Sequence, residues 1–212
     1  MSKKGLDNFY SLVESFENLP SIGKKSALRL AYYIVYENTY AGLNLAHSIE
    51  NAIATITKCT VCNNMSEHEV CDICLDDDRD DTNLCIVQSA KDIFIMEDSK
   101  QYDGKYFALE ALNNDEINKL IKLVEKKNIK TILFAITPSL ANDAFILYIE
   151  DKLERFEISF TKIAQGIPTG VSLENVDILS LSKAINGRTK IWPFNLRSSH
   201  GILFWLRIIF NT

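Results

Sequence analysis

The sequence predicts a multi-domain α/β protein in which an amino-terminal helical bundle, a cysteine-bearing loop and a mostly parallel sheet with flanking helices follow one another. Three observations predict it. Apolar residues recur at helical spacing before residue 57, four cysteines then stand as two CxxC pairs, and short apolar runs alternate with amphipathic segments beyond them. A hydrophobic content of 47% over 212 residues is ample for a real core. The net charge of -5 and a pI near 5.3 exclude a surface that coats nucleic acid everywhere, yet leave room for a local basic site. Two lysines in the opening MSKKGLDNFY have no apolar run behind them, and no central segment supplies the ~20 residues of a bilayer span. The expected location is cytoplasmic.

Leu6, Phe9, Tyr10, Val13 and Phe16 share one helical face; Asn18, Pro20 and Gly23 interrupt it; Ala27, Leu30, Ala31, Ile34 and Val35 resume the period. This reads as helix, tight turn, helix. A third amphipathic run through Leu45, Ala46, Ile49, Ile53 and Ile56 leads straight into Cys59, so the cysteine loop is expected to cap a small helical bundle. The runs Leu84 to Val87, Ile93 to Met96, Tyr106 to Leu109, Ile132 to Ile136 and Ile158 to Ile163 read as strands, with helices at Asp115 to Lys127 and Asn142 to Arg155. Strands alternating with helices imply a mostly parallel sheet covered on both faces. Asp76, Asp77, Asp78, Asp80 and Asp81 read as a solvated linker, with a metal site as the alternative. Cys85 falls inside an apolar strand and is expected in the core.

Cys59, Cys62, Cys71 and Cys74 have the spacing of a tetrahedral zinc site, because two short CxxC hooks on one compact loop supply four soft ligands. A pair of disulfides is the alternative, although nothing else points to an oxidising compartment. His68 lies between the hooks and reads as a surface loop residue that could replace a thiolate. At Leu19 to Ser26 a turn through Gly23 opens a helix whose outward N–H groups, beside Lys25 and Arg29 one turn apart, suit a backbone phosphate. Such contacts read phosphates rather than bases, so DNA binding would be largely independent of sequence. A purely structural hairpin is the alternative. Gly23, Lys24, Lys25 and Ser26 do not make a nucleotide P-loop, since no glycine stands five residues earlier and no strand precedes them.

Taken in order, the segments resemble the RecR family. LPSIGKKSALRLAYYIV resembles its helix-hairpin-helix, and the four cysteines with Arg79 and Asp80 resemble its zinc finger. LCIVQSAKDIFIMED resembles the opening of its Toprim domain, and TKIAQGIPTGVSLENVDILSLSKAINGR its carboxy-terminal signature, a match running from about Leu6 to Arg188. The resemblance implies a helix-hairpin-helix DNA-binding region at 1–57, a four-cysteine zinc finger at 58–78, a Toprim-like domain at 79–165 and a carboxy-terminal region at 166–190. An unmatched apolar tail occupies 191–212, read as an extension packed on the core or at a subunit interface, a boundary artefact, or a peripheral helix. It further implies a non-enzymatic mediator of recombinational DNA repair, one structural zinc ion per chain, a ring-like homotetramer, and action with RecO and/or RecF to load RecA on single-stranded DNA. The DNA-binding positions fall on Gly23, Lys24, Lys25 and Arg29, Lys24 standing where the family commonly has proline.

Toprim enzymes hold magnesium with a glutamate at the end of the first strand and an Asp-x-Asp pair near a later one. Here those regions read Gln88 and Thr137 to Asp143, with only Asp143 and, further off, Glu97 or Asp92 as candidate carboxylates, so magnesium chemistry is not expected. The segment after Tyr106 also lacks the family's glycine-rich insertion. A Toprim-type enzyme with a reduced acidic site and a zinc-stabilised adaptor that binds only proteins are the competing functions. Residues 1–36 carry five basic against three acidic side chains. That surplus is too small for one hairpin to hold DNA at physiological salt, which independently predicts an oligomer presenting several.

Overall fold

A computed structural model describes residues 5–164, 166–167 and 170–188; the tail expected beyond residue 190 lies outside them. The chain divides into two compact units, Met1–Lys162 and Ile163–Thr212. In the first unit, helices α1 (Asp7–Glu17) and α2 (Lys24–Tyr32) form the predicted hairpin, closed by Val13, Ala27 and Ala31 with Phe9, Leu12, Phe16 and Ile22 packed around them. At Tyr33–Glu37 the helix widens into a single π turn. Asn38 then caps α3 (Thr39–Thr55), its Oδ1 accepting from the Ala41 N–H at 2.9 Å while its Nδ2 donates to the Tyr33 hydroxyl. Gly42 allows α3 to lie against this turn, since a Cβ there would meet the Ile34 carbonyl at 2.7 Å.

The apolar stripe of α3 was expected to face a bundle core. Instead no residue of α3 is buried, and Leu43, Ile49 and Ile53 are exposed along with Tyr36 and Tyr40. The periodicity formed the helix as expected, but among the described residues nothing covers its face.

Beyond α3 come a short antiparallel pair, β1 (Thr57–Lys58) and β2 (Met65–Ser66), and the one-turn helix α4 (Asp72–Leu75). The main sheet has the order β4-β3-β5-β6, with β3 (Asp80–Val87), β4 (Gly104–Ala108), β5 (Thr131–Ala135) and β6 (Ser159–Lys162) all parallel. Side-chain alternation divides it cleanly. Leu84, Ile86, Phe107, Ile132 and Phe134 face α6 (Asn114–Lys127) and α7 (Leu140–Leu153) through Ile117, Leu120, Val124, Ile149 and Leu153. Cys85, Val87, Tyr106 and Ala108 face Ile93 and Met96 of α5 (Ala90–Ser99) and Ile73 of α4. Cys85 is a core residue as predicted, and burial pushes its thiol up to about 12.

Two expectations are corrected. Ile93 to Met96 is helical, not a strand, because Asp92 Oδ2 accepts from both the Ser89 N–H and hydroxyl at 3.0 Å, starting a helix just before the apolar run. Ile93 is buried while Phe94 and Ile95 are exposed, so only one helical face points inward. The acidic stretch is not wholly a linker either. β3 begins at Asp80, and Asp81 pairs with Lys127 at 2.7 Å, which holds its carboxyl below the usual range. The second unit contains, among its described residues, a single 3-10 turn, Leu173–Asn175, and α8 (Ile178–Asn186), capped by the Asp177 carboxylate on the Ser180 N–H at 2.9 Å.

Arg79 ties the start of the sheet together. Its guanidinium engages both oxygens of Glu97 and the Gly104 carbonyl, and lies 5.9 Å from the Tyr106 ring centroid, while the Tyr106 hydroxyl donates to Glu97 at 2.7 Å. Removing the Glu97 charge would leave the largely covered guanidinium with Asp76 Oδ2, 3.4 Å from its Nε, as its remaining anion. Glu97→Gln is therefore expected to cost about 2–3 kcal/mol, read as a lower urea midpoint at unchanged slope.

Candidate metal centre and nucleic-acid interface

The metal loop is built from two knuckles. After Cys59 the chain turns back on itself: the Asn63 N–H donates to the Cys59 carbonyl at 3.1 Å, and the Cys59 N–H donates to the Asn64 carbonyl at 2.7 Å. Asn63 closes this turn at φ +63°, a left-handed conformation that asparagine tolerates. The second knuckle is the start of α4, where the N–H groups of Cys74 and Leu75 donate to the Cys71 carbonyl. Cys59 Sγ accepts from the Val61 N–H at 3.4 Å and the Cys71 N–H at 3.3 Å, directing backbone dipoles at a sulfur.

All four sulfurs lie within 4.8 Å of one another, with Cys62 to Cys71 at 3.5 Å and Cys59 to Cys74 at 4.0 Å. A tetrahedral ion with ~2.3 Å bonds to sulfur needs sulfurs roughly 3.8 Å apart. Every observed separation is far longer than the ~2.05 Å of a disulfide, and all five cysteines of the chain are free thiols. The donor set therefore fits a four-coordinate thiophilic cation and leaves no ligand position for water. The packed thiols also polarise one another. Hydrogen bonds from Cys62 and then Cys74 hold the Cys71 thiol well below its ordinary range, and the same contact with Cys71 raises Cys62. His68 is exposed and outside the cluster.

The loop does not cap the helical bundle as the sequence implied; it seats on the sheet. The Ala108 N–H of edge strand β4 donates to the Cys62 carbonyl at 2.9 Å, and Asn63 Nδ2 donates to the Ala108 carbonyl at 2.9 Å. Lys119 and Lys105 add further bonds to the loop's carbonyls. Sequence reasoning missed Asn63, Lys105 and Lys119; a lysine within an apolar strand, as in Gly104–Ala108, was the one available signal.

The four hairpin residues lie along α2, Gly23 at its N-cap, Lys24 and Lys25 in its first turn and Arg29 in its last. Gly23 is the N-cap, with extended backbone and no side-chain cap, and Gly23, Lys24, Lys25 and Arg29 are all exposed. Among the described residues the three cations make no ion pair. Ser21 supports the turn at φ +64°, a conformation that favours glycine.

At the carboxy end of β3 two amides satisfy each other. Gln88 Nε2 donates to Asn142 Oδ1 at 3.0 Å, and Asn142 Nδ2 returns to Gln88 Oε1 at 3.3 Å. Asn142 also donates to the Thr137 carbonyl at 2.6 Å. The three remaining carboxylates are engaged elsewhere: Asp143 with Lys162 at 3.5 Å, Asp92 in its helix cap and Glu97 with Arg79. A hard cation does not fit this donor set.

Family models match three stretches of the chain: the RecR helix-hairpin-helix at residues 9–53, the RecR zinc finger domain of four cysteines at 56–76 and the RecR C-terminal region at 166–189. The chain is 53% identical over 188 residues to the recombination protein RecR of Campylobacter jejuni strain 81-176, covering 89% of this chain and 99% of the relative. It is 52% identical over 189 residues to that of a Nitratiruptor species, covering 89% and 100%. With RecR of Helicobacter pylori strain G27 the identity is 48% over 188 residues, covering 89% and 97%. These names describe a recombination protein rather than an enzyme. With the hairpin and the four-sulfur cluster falling in two of the matched stretches and these relatives about 50% identical over 89% of the chain, the chain belongs to the RecR family of recombination proteins.

Proposed function

We propose that this chain is a non-catalytic, DNA-binding recombination mediator that acts in the cytoplasm with RecO and/or RecF to help load RecA on single-stranded DNA. Among the described residues no helix is long and apolar enough to cross a membrane. The observation that carries the DNA-binding part is the exposed start of α2, where Gly23 leaves backbone N–H groups without a side-chain cap beside Lys24 and Lys25, with Arg29 exposed one turn beyond Lys25. The metal is a structural zinc ion held by Cys59, Cys62, Cys71 and Cys74, a reading supported by sulfur spacing and by the closed donor set. The assembly is a homotetramer. Its support is the meagre charge surplus of one hairpin together with the exposed apolar side chains of α2 and α3, which a second copy would cover. The regions 1–57, 58–78, 79–165, 166–190 and 191–212 are the corresponding divisions of the chain.

The competing reading is a Toprim-type metal-dependent enzyme. The paired amides of Gln88 and Asn142 count against it, because they remove charge where two-metal chemistry needs it.

Three outcomes test these readings. Lys25→Ala with Arg29→Ala should weaken binding to unrelated DNA sequences alike and lower the logarithmic salt slope by about one unit per residue, followed by fluorescence anisotropy; unchanged affinity would move the DNA site elsewhere. Elemental analysis should find one zinc per chain, and Cys59→Ser or Cys71→Ser should give unfolded or insoluble protein. Magnesium should leave the melting temperature of the parent protein unaltered. Gln88→Glu with Asn142→Asp should melt lower in chelator, by about 1 kcal/mol for the loss of a half-buried polar pair, and recover when magnesium is added.

A further inference from the structure

Two lysines outside the metal loop grip its two knuckles separately. Lys119 of α6 donates from Nζ to the Cys59 carbonyl at 3.2 Å and to Asn63 Oδ1, both acceptors belonging to the first knuckle. Lys105 of β4 donates to the Ile73 carbonyl at 3.0 Å and to the Asp76 carbonyl, at the far end of the second. The Lys105 side chain is only 9% exposed and has Asp81 Oδ1 at 3.6 Å as its anion. A covered ammonium is stable only where its donors are satisfied, so these bonds fix where the knuckles lie relative to the sheet.

The loop cannot set that spacing by itself. Its regular structure is two short strands and one turn of helix, and its buried apolar cluster consists of Cys59, Cys62 and Cys71. Without an ion the Cys59 and Cys71 ends are tied by the weak thiol–thiol contacts, by the Cys71 N–H to Cys59 Sγ, and by the Thr60 N–H and hydroxyl to the Glu69 carbonyl at 2.9 and 3.0 Å, bonds that join the two ends without fixing either knuckle to the sheet. Charge points the same way. Four thiolates around a divalent ion leave a surplus of two negative charges; Lys119, which has no carboxylate partner among the described residues, brings one positive charge to the loop, whereas Lys105 shares its charge with Asp81.

We propose that Lys105 and Lys119 are positioning residues of the zinc site: each holds one CxxC knuckle against the sheet, setting the thiolates at ligand spacing before the ion arrives. This rests on the zinc reading above. Polar partners one step behind a metal's ligands typically govern about 10–100-fold of metal affinity.

The test is the rate at which the full-length, zinc-loaded protein gives up its metal to a chromogenic chelator, with circular dichroism recorded alongside. Lys119→Met and Lys105→Met keep the apolar stem and remove the charged donor. Each is expected to release zinc about 10–100-fold faster with native secondary structure, the pair together faster than either, while Lys119→Arg stays close to the parent. Should Lys105→Met fail to fold, Lys105→Gln, which keeps a donor without charge, is measured with the same expectation. Release at the parental rate by the uncharged variants overturns the proposal, as does release by Lys119→Arg as fast as by Lys119→Met. The two failures separate: a parent protein without zinc refutes the metal reading and this inference with it, whereas a loaded parent whose variants hold zinc equally well refutes positioning alone.

Discussion

The constraint on which the rest of the structure depends is the meeting of four sulfurs at the edge of a parallel sheet. A segment as short and polar as residues 58–78 cannot bury enough apolar surface to fold by itself, and its order comes from the thiol cluster on one side and β4 on the other. The dependence is mutual. Every residue of Gly104–Ala108 is buried although β4 is an edge strand, because the loop and α4 lie over it. Sheet and finger are thus one packing unit, and the carbonyls of the knuckles serve both.

The carboxy end of the neighbouring strand β3 carries amides where a cation site would carry acids. The carboxy ends of parallel strands concentrate helix N-termini, which attract anions and the cations that accompany them. In this chain a reciprocal amide pair spans the gap between β3 and α7, and the nearby acids are tied to a helix cap, a lysine and an arginine. Each polar group finds a protein partner, so an ion would have to break bonds to enter.

Much of this was legible in the sequence, for identifiable reasons. The CxxC spacing is a local geometric demand, and it placed the four sulfurs correctly. Strand cores such as Leu84 to Val87 and Ile132 to Ile136 have one apolar run bounded by polar residues, and they fell in place within a residue or two at their inner ends. Ile93 to Met96 failed because a four-residue apolar run carries no period, and the deciding signal was the Ser89 and Asp92 pair just before it. The seat of the finger failed for a different reason. Sequence continuity from α3 into Cys59 says nothing about which distant surface the loop meets, and the contacts with Ala108 and Lys119 join segments far apart in the chain. The uncovered face of α3 marks the same limit, since an amphipathic pattern states that a face is to be buried and not by which chain.

The cover that the finger gives β4 bears on what happens when the thiols are oxidised or the metal is stripped. A buried edge strand has none of the usual defences of an exposed one: Lys105 is its single charged residue, and its ammonium is committed to the loop it would lose. Once uncovered, Ala108 would lose the partners of its N–H and C=O and leave unpaired backbone groups on an apolar strand, the kind of surface to which a strand of a neighbouring molecule adds. Metal loss in this protein would then be an aggregation hazard, quite apart from any loss of folding energy, and the finger acts as a lid on an adhesive seam.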